Sequence, residues 1–159
     1  MQDAVAQNAG FAGKRSSWQS AVEVFKPRIG LEIMFAGIAG VTMAQGSGLP
    51  LPQLLVLATA VFLAAASAGA LNHLAERDLD PRMSRTRGRP FVTGKLAGGS
   101  LWIAVIGLLL AFAVVSAGLA TNWLAAMFVF LGAFTYGVVY TLWLKRRTWL
   151  NIVVGGLAG

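Results

Sequence analysis

Two long segments of this chain, Ile33 to Ala75 and Leu96 to Leu144, contain no Asp, Glu, Lys or Arg. A bilayer-spanning helix needs about 20 apolar residues, so each segment has room for two. Turn chemistry divides both. Gln45-Gly46-Ser47-Gly48-Leu49-Pro50-Leu51-Pro52 breaks the first, and the weaker Gly118-Leu119-Ala120-Thr121-Asn122 breaks the second. This pattern predicts helices near 29–46, 53–76, 101–119 and 122–144. A fifth starts near Trp149 and is too short to cross before Gly159. Composition agrees: 57% of residues are hydrophobic and 12% charged. A soluble domain carries about twice that charged fraction. The expected fold class is all-α and integral to the membrane, a helical bundle with about four complete transmembrane helices plus the start of a fifth.

The charge is sorted along this scheme. Net charge is +7, and all thirteen basic residues fall before the first predicted span, after the second or after the fourth. They are Lys14, Arg15, Lys26 and Arg28, then Arg77, Arg82, Arg85, Arg87, Arg89 and Lys95, then Lys145, Arg146 and Arg147. The alternate loops have none. Basic loops stay on the cytoplasmic side, which puts the N-terminus and both basic loops in the cytoplasm. Residues 1–27 read as a cytoplasmic tail, and residues 28–159 as the membrane domain. In the tail, Trp18, Val22 and Phe25 share a helical face, which suggests a short helix lying on the membrane surface. Absent cysteines exclude disulfides and cysteine-held clusters, and one histidine excludes a multi-histidine metal site. A nucleic-acid partner is not expected, because no aromatic residue lies between Arg77 and Arg89.

Chemistry concentrates in one segment. Asn72, Glu76 and Asp80 are spaced four apart, so a continuing helix projects all three to one side. Oxygen donors in that arrangement suit Mg²⁺, which also shares substrate phosphates. Asp78 points roughly the opposite way and is a further candidate ligand. Pro81 allows a second arrangement, in which Asp80 caps a new short helix. Arg82, Arg85, Arg87 and Arg89 follow, and arginine forks match phosphate oxygens. Carboxylates, Mg²⁺ and arginines together describe a diphosphate site at the membrane face. The competing explanation is a basic cytoplasmic loop with incidental carboxylates. Elsewhere, Arg28 and Glu32 read as an i,i+4 pair. His73 reads as a polar residue near a membrane end, with a haem contact as the alternative. Tyr136 and Tyr140 share a face, and Tyr140 reads as an interfacial aromatic.

Asn72-x3-Glu76-x3-Asp80 resembles the first Asp-rich motif of the UbiA-type intramembrane prenyltransferases. The run ERDLDPRMSRTRGRP from Glu76 to Pro90 is similar to the protohaem IX farnesyltransferase (haem O synthase) branch. A second stretch agrees with that branch, Tyr140-Thr141-Leu142-Trp143-Leu144-Lys145-Arg146-Arg147-Thr148-Trp149-Leu150-Asn151. Lys26-Pro27-Arg28 resembles the family's start. The resemblance implies transfer of a farnesyl group from farnesyl diphosphate to a vinyl group of haem b, giving haem O. It implies that Asn72, Glu76 and Asp80 hold Mg²⁺. It gives diphosphate contacts to Arg85, Arg89 and Lys145, with Arg82 and Arg87 next. It also implies the bacterial cytoplasmic (inner) membrane as the location, with haem A synthase or oxidase assembly factors as partners. The rival readings are another enzyme of the same superfamily, such as one prenylating 4-hydroxybenzoate, and a non-catalytic membrane fragment. The family is about twice as long and carries a second Asp-rich motif on a later helix. This chain is therefore expected to be a fragment with little or no activity alone.

Overall fold

The structure, a computed structural model, describes residues 17–44, 48–84 and 86–147. Five helices follow in order: α1 (Ser17–Val24), α2 (Pro27–Met43), α3 (Leu51–Ala75), α4 (Ser100–Ala120) and α5 (Trp123–Phe134). The last continues directly into a π-helix, Thr135–Trp143. Single 3₁₀ turns cover Asp80–Arg82 and Leu144–Arg146. Turn residues set the boundaries. Pro27 and Pro52 stand in the first turns of α2 and α3, where a missing N–H costs nothing. Asn122 accepts a hydrogen bond from Ala125 N at 2.8 Å and so caps α5. The four long helices match the sequence expectation to within a few residues. The expected start of a fifth transmembrane helix and residues 1–16 of the tail lie outside the described residues.

Leu51–Ala75, Ser100–Ala120 and Trp123–Trp143 are long and apolar enough to cross a membrane. The α2 helix has 17 residues. At 1.5 Å per residue it spans about 25 Å, slightly short of a full hydrocarbon core. The Arg28–Glu32 pair forms on its exposed first turn, with Nε to Oε1 at 3.5 Å.

The central element is α3, whose span is 44% buried against 22% for the other two. Ala66, Ser67, Ala68, Gly69 and Ala70 are all buried, so the second half of this helix is covered on every side. Lipid supplies no hydrophobic drive between helices, and close van der Waals approach of small residues takes its place. The ring of Phe62 lies 3.1 Å from where a Cβ on Gly30 would stand. Leu101, Leu108, Phe112 and Leu119 of α4, with Leu124 and Phe128 of α5, face outward. Water would not tolerate so broad an apolar surface, and lipid does. The molecule is an integral membrane protein. On α1, Ser20 and Val24 are buried while Trp18 and Val22 are exposed. Phe25, grouped with those two in the sequence, turns instead onto Trp102, ring centroids 6.1 Å apart.

Candidate functional site

The α-helix α3 ends at Ala75, so Asn72, Glu76 and Asp80 do not share one continuous helix. Helical hydrogen bonding nevertheless runs through the turn. Glu76 N donates to Asn72 O at 3.1 Å, and Asp80 N donates to Glu76 O at 2.9 Å. The four-residue repeat survives, and all three side chains are buried on one side. Asp80 does not cap the 3₁₀ turn with its side chain. Its carboxylate belongs to the site.

The loop then returns to this point. Thr86 Oγ1 donates to Asp80 O at 3.0 Å and Pro90 is fully buried, which anchors Arg89 between them. Arg89 Nη1 donates to both Asp80 carboxylate oxygens, at 2.7 and 2.9 Å, and to Glu76 Oε2 at 3.2 Å. Lys145 Nζ donates to the other Glu76 oxygen, Oε1. Lys26 Nζ donates to Asn72 Oδ1 at 2.6 Å and to the Tyr136 hydroxyl at 3.5 Å. The π-helix presents the opposite wall. Tyr136 and Tyr140 stack with centroids 5.4 Å apart, Lys26 lies 5.9 Å over the first ring and Lys145 lies 5.8 Å over the second. Tyr140 thus packs against the same cluster.

Three cations face two carboxylates here. Burial works to raise the pKa of Glu76, but hydrogen bonds and charge from Lys145 and Arg89 hold it below the ordinary carboxylate range. Burial, reinforced by Arg89, lowers Lys26 from 10.5 to about 8. The excess positive charge suits a polyanion. The oxygen donors of Asn72, Glu76 and Asp80 fit a hard divalent cation. Arg89 stands between the two carboxylates and donates to both. Among the described residues no three His, Cys, Asp or Glu side chains gather. Asp78 is exposed and does not join Glu76 and Asp80, so the third oxygen of such a set comes from Asn72. Its intervening position in the four-residue repeat turns it away.

Among the described residues, Arg89 is the arginine placed in the cluster. Arg82 and Arg87 are exposed on the turn and loop outside it, and Arg85 lies outside the described residues. His73 is buried, and its Nδ1 has no hydrogen-bond partner. It lines a recess of about 460 Å³ with Lys26, Thr86 and Arg89. Sequence reasoning missed Lys26 and Thr141 as site residues. Both lie in stretches that carry the family resemblance, Lys26-Pro27-Arg28 and Tyr140 to Asn151, but neither was singled out as a site residue.

An apolar cavity of about 410 Å³ opens from this cluster between α2, α3 and α5. Lys26 and Tyr136 stand at its polar end, and Ile33, Val61, Ala65 and Phe128 line its length. That volume lies within the usual range of ligand cavities, about 300–1,000 Å³.

Fold and site define a membrane-embedded protein with a cationic, carboxylate-bearing pocket at the mouth of an apolar cavity. The chain belongs to the UbiA prenyltransferase family, whose family model matches residues 33–159. Members of that family generally bind diphosphate through divalent metal ions. The chain is 53% identical over 136 residues to protoheme IX farnesyltransferase 2 of Paramagnetospirillum magneticum, covering 86% of this chain and 47% of the relative. It is 40% identical over 144 residues to protoheme IX farnesyltransferase 1 of the same organism, covering 90% and 50%. With the protoheme IX farnesyltransferase of Caulobacter vibrioides it shares 41% identity over 150 residues, covering 93% and 44%. The chain spans about half the length of the curated relatives it matches. No solved structure matches it.

Proposed function

We propose that this chain carries a donor-binding site of an enzyme that transfers a farnesyl group from farnesyl diphosphate to a vinyl group of haem b. The observation that carries this reading is the junction of a cation-rich pocket with an apolar cavity. Diphosphate and a prenyl tail are the two halves of one such ligand. Names of the relatives supply the acceptor. The location proposed is the bacterial cytoplasmic membrane, with the site at its cytoplasmic face and haem A synthase or oxidase assembly factors as partners.

Asn72, Glu76 and Asp80 would hold Mg²⁺. When bound, the ion neutralises charge growing on the diphosphate as the allylic C–O bond breaks. Relieved of the carboxylates, Arg89 and Lys145 turn their N–H donors to diphosphate oxygens, and Lys26 reaches the same group from α2. Arg85 remains a proposed contact, while Arg82 and Arg87 act by charge from the rim. The cavity walls hold the tail and keep bulk water from the allylic carbon.

The test is retention of labelled farnesyl diphosphate by the chain in nanodiscs. Arg89→Ala and Asp80→Asn should each weaken retention at least 10-fold, and Arg82→Ala less than 3-fold, in line with the loss of charge-assisted bonds worth about 1.5–3 kcal/mol. Equal effects at Arg82 and Arg89 would sink the site assignment. Label transferred in membranes to 4-hydroxybenzoate, and not to haem b, would replace the acceptor.

A further inference from the structure

We propose that Thr141 is a positioning residue that fixes the polarity of the Asn72 amide. It directs the carbonyl oxygen of Asn72, and not its NH₂ group, to the cation-binding side of the site. The inference rests on the reading of Asn72 as an oxygen donor to a divalent cation.

The two ends of an asparagine amide have nearly the same shape and opposite hydrogen-bonding character. A buried amide takes the orientation its neighbours dictate. Here four groups form a directional relay. Thr141 Oγ1 donates its single proton to the backbone oxygen of Tyr136 at 2.8 Å. That oxygen accepts only, so the hydroxyl has no choice of direction. With its proton committed, Thr141 Oγ1 can only accept, and Asn72 Nδ2 donates to it at 3.3 Å. Asn72 Oδ1 is then left facing the Lys26 ammonium at 2.6 Å, and an ammonium only donates. Reversing the amide would set NH₂ against NH₃⁺ and oxygen against a hydroxyl oxygen that has no proton left. Asn72 and Thr141 are 2% and 1% exposed, so water does not substitute for either partner.

In the structure Lys26 also favours this orientation. A divalent cation taking Asn72 Oδ1 would displace the ammonium, and Thr141 would then be the remaining partner that selects the carbonyl. The π-helix makes the relay reachable, because the Thr141 hydroxyl lies over a carbonyl five residues back. Removing a group that orients a metal ligand commonly weakens metal affinity about 10–100-fold.

The experiment measures Mn²⁺ binding by electron paramagnetic resonance, with inorganic diphosphate present, on the full chain in nanodiscs. Thr141→Val should weaken Mn²⁺ at least 10-fold, and Thr141→Ser should stay within 3-fold of wild type. With Asp at position 72 both terminal atoms are oxygen, so Thr141→Val should lose its effect in the Asn72→Asp background. A second readout needs no metal: hydrogen exchange at the Asn72 side-chain NH₂ by ¹⁵N NMR. It should be protected in wild type and Thr141→Ser, and fast in Thr141→Val. Fast exchange in wild type would overturn the proposal without any variant. So would wild-type Mn²⁺ affinity in Thr141→Val, or an equal loss in the Asn72→Asp background. A wild-type chain that takes up no Mn²⁺ would remove the metal reading of Asn72, and the NH₂ exchange would then decide the role of Thr141 by itself.

Discussion

At Lys26 the backbone turns left-handed (φ 48°) one residue before Pro27, and this turn carries the side chain back over Tyr136 and onto Asn72. The following proline disfavours the right-handed helical region at this position. The ammonium is desolvated and also faces Arg89 and Lys145, so its pKa falls to about 8 from 10.5, although Glu76 and Asp80 oppose the shift. Between those two values the unfolded chain binds more protons than the folded one. The cost of keeping Lys26 charged is fully present below about pH 8 and is relieved as pH rises toward 10.5. Thermal stability in detergent should therefore rise across that window relative to Lys26→Met. ¹³C-dimethyl-lysine NMR should show one lysine titrating near pH 8. A chain in which every lysine titrates above 10 would remove this account of Lys26.

The π-helix is the element that sets the geometry of the site. It places Tyr136 and Thr141 on a common face although the two are five residues apart. An α-helix would rotate such pairs about 140° from one another. This element approaches α3 closely at Gly137, where an added Cβ would lie 3.2 Å from Leu71 Cδ2 and 3.7 Å from Ala68 Cβ. Gly137→Leu should force the two apart, costing about 1–3 kcal/mol as overpacking does. The Asn72–Thr141 hydrogen bond should be lost with it. Gly107 is the control, because nothing lies within 4 Å of its Cβ position and it faces outward. A thermal transition lowered equally by Gly107→Leu and Gly137→Leu would mean that the contact is not what is being measured.

For the whole molecule, the ends of α3 and the π-helix and the start of α2 meet at one end of the bundle, and the basic residues among those described lie there. The loop between α2 and α3 belongs to the opposite end and is uncharged. These 159 residues contain no cysteine, so single-cysteine variants report sidedness cleanly. An impermeant maleimide should label Gly48→Cys in intact cells and Arg87→Cys only after the membrane is opened. Both positions are exposed in the structure. Labelling of Arg87→Cys from outside would invert the proposed orientation.

Much of this was legible in one dimension. Uncharged runs bounded by Gly and Pro set the number and ends of the long helices, because a bilayer imposes length and apolarity directly on local sequence. The spacing of Asn72, Glu76 and Asp80 placed three oxygens on one side, because a helical repeat is itself local. The break at Ala75 and Pro81 left that repeat intact only because two backbone hydrogen bonds carry through the turn. Which cations meet those oxygens was a tertiary matter. The family resemblance ranks Arg89 ahead of Arg82 and Arg87, and the fold of the loop over Thr86 and Pro90 is what brings Arg89 inward. Lys26 and Thr141 lie 46 and 69 residues from Asn72, beyond the reach of any periodicity. The π geometry that turns Thr141 toward Asn72 was not read from the local sequence. Local physics thus determined the spans and the acidic repeat, and long-range packing decided which side chains complete the site.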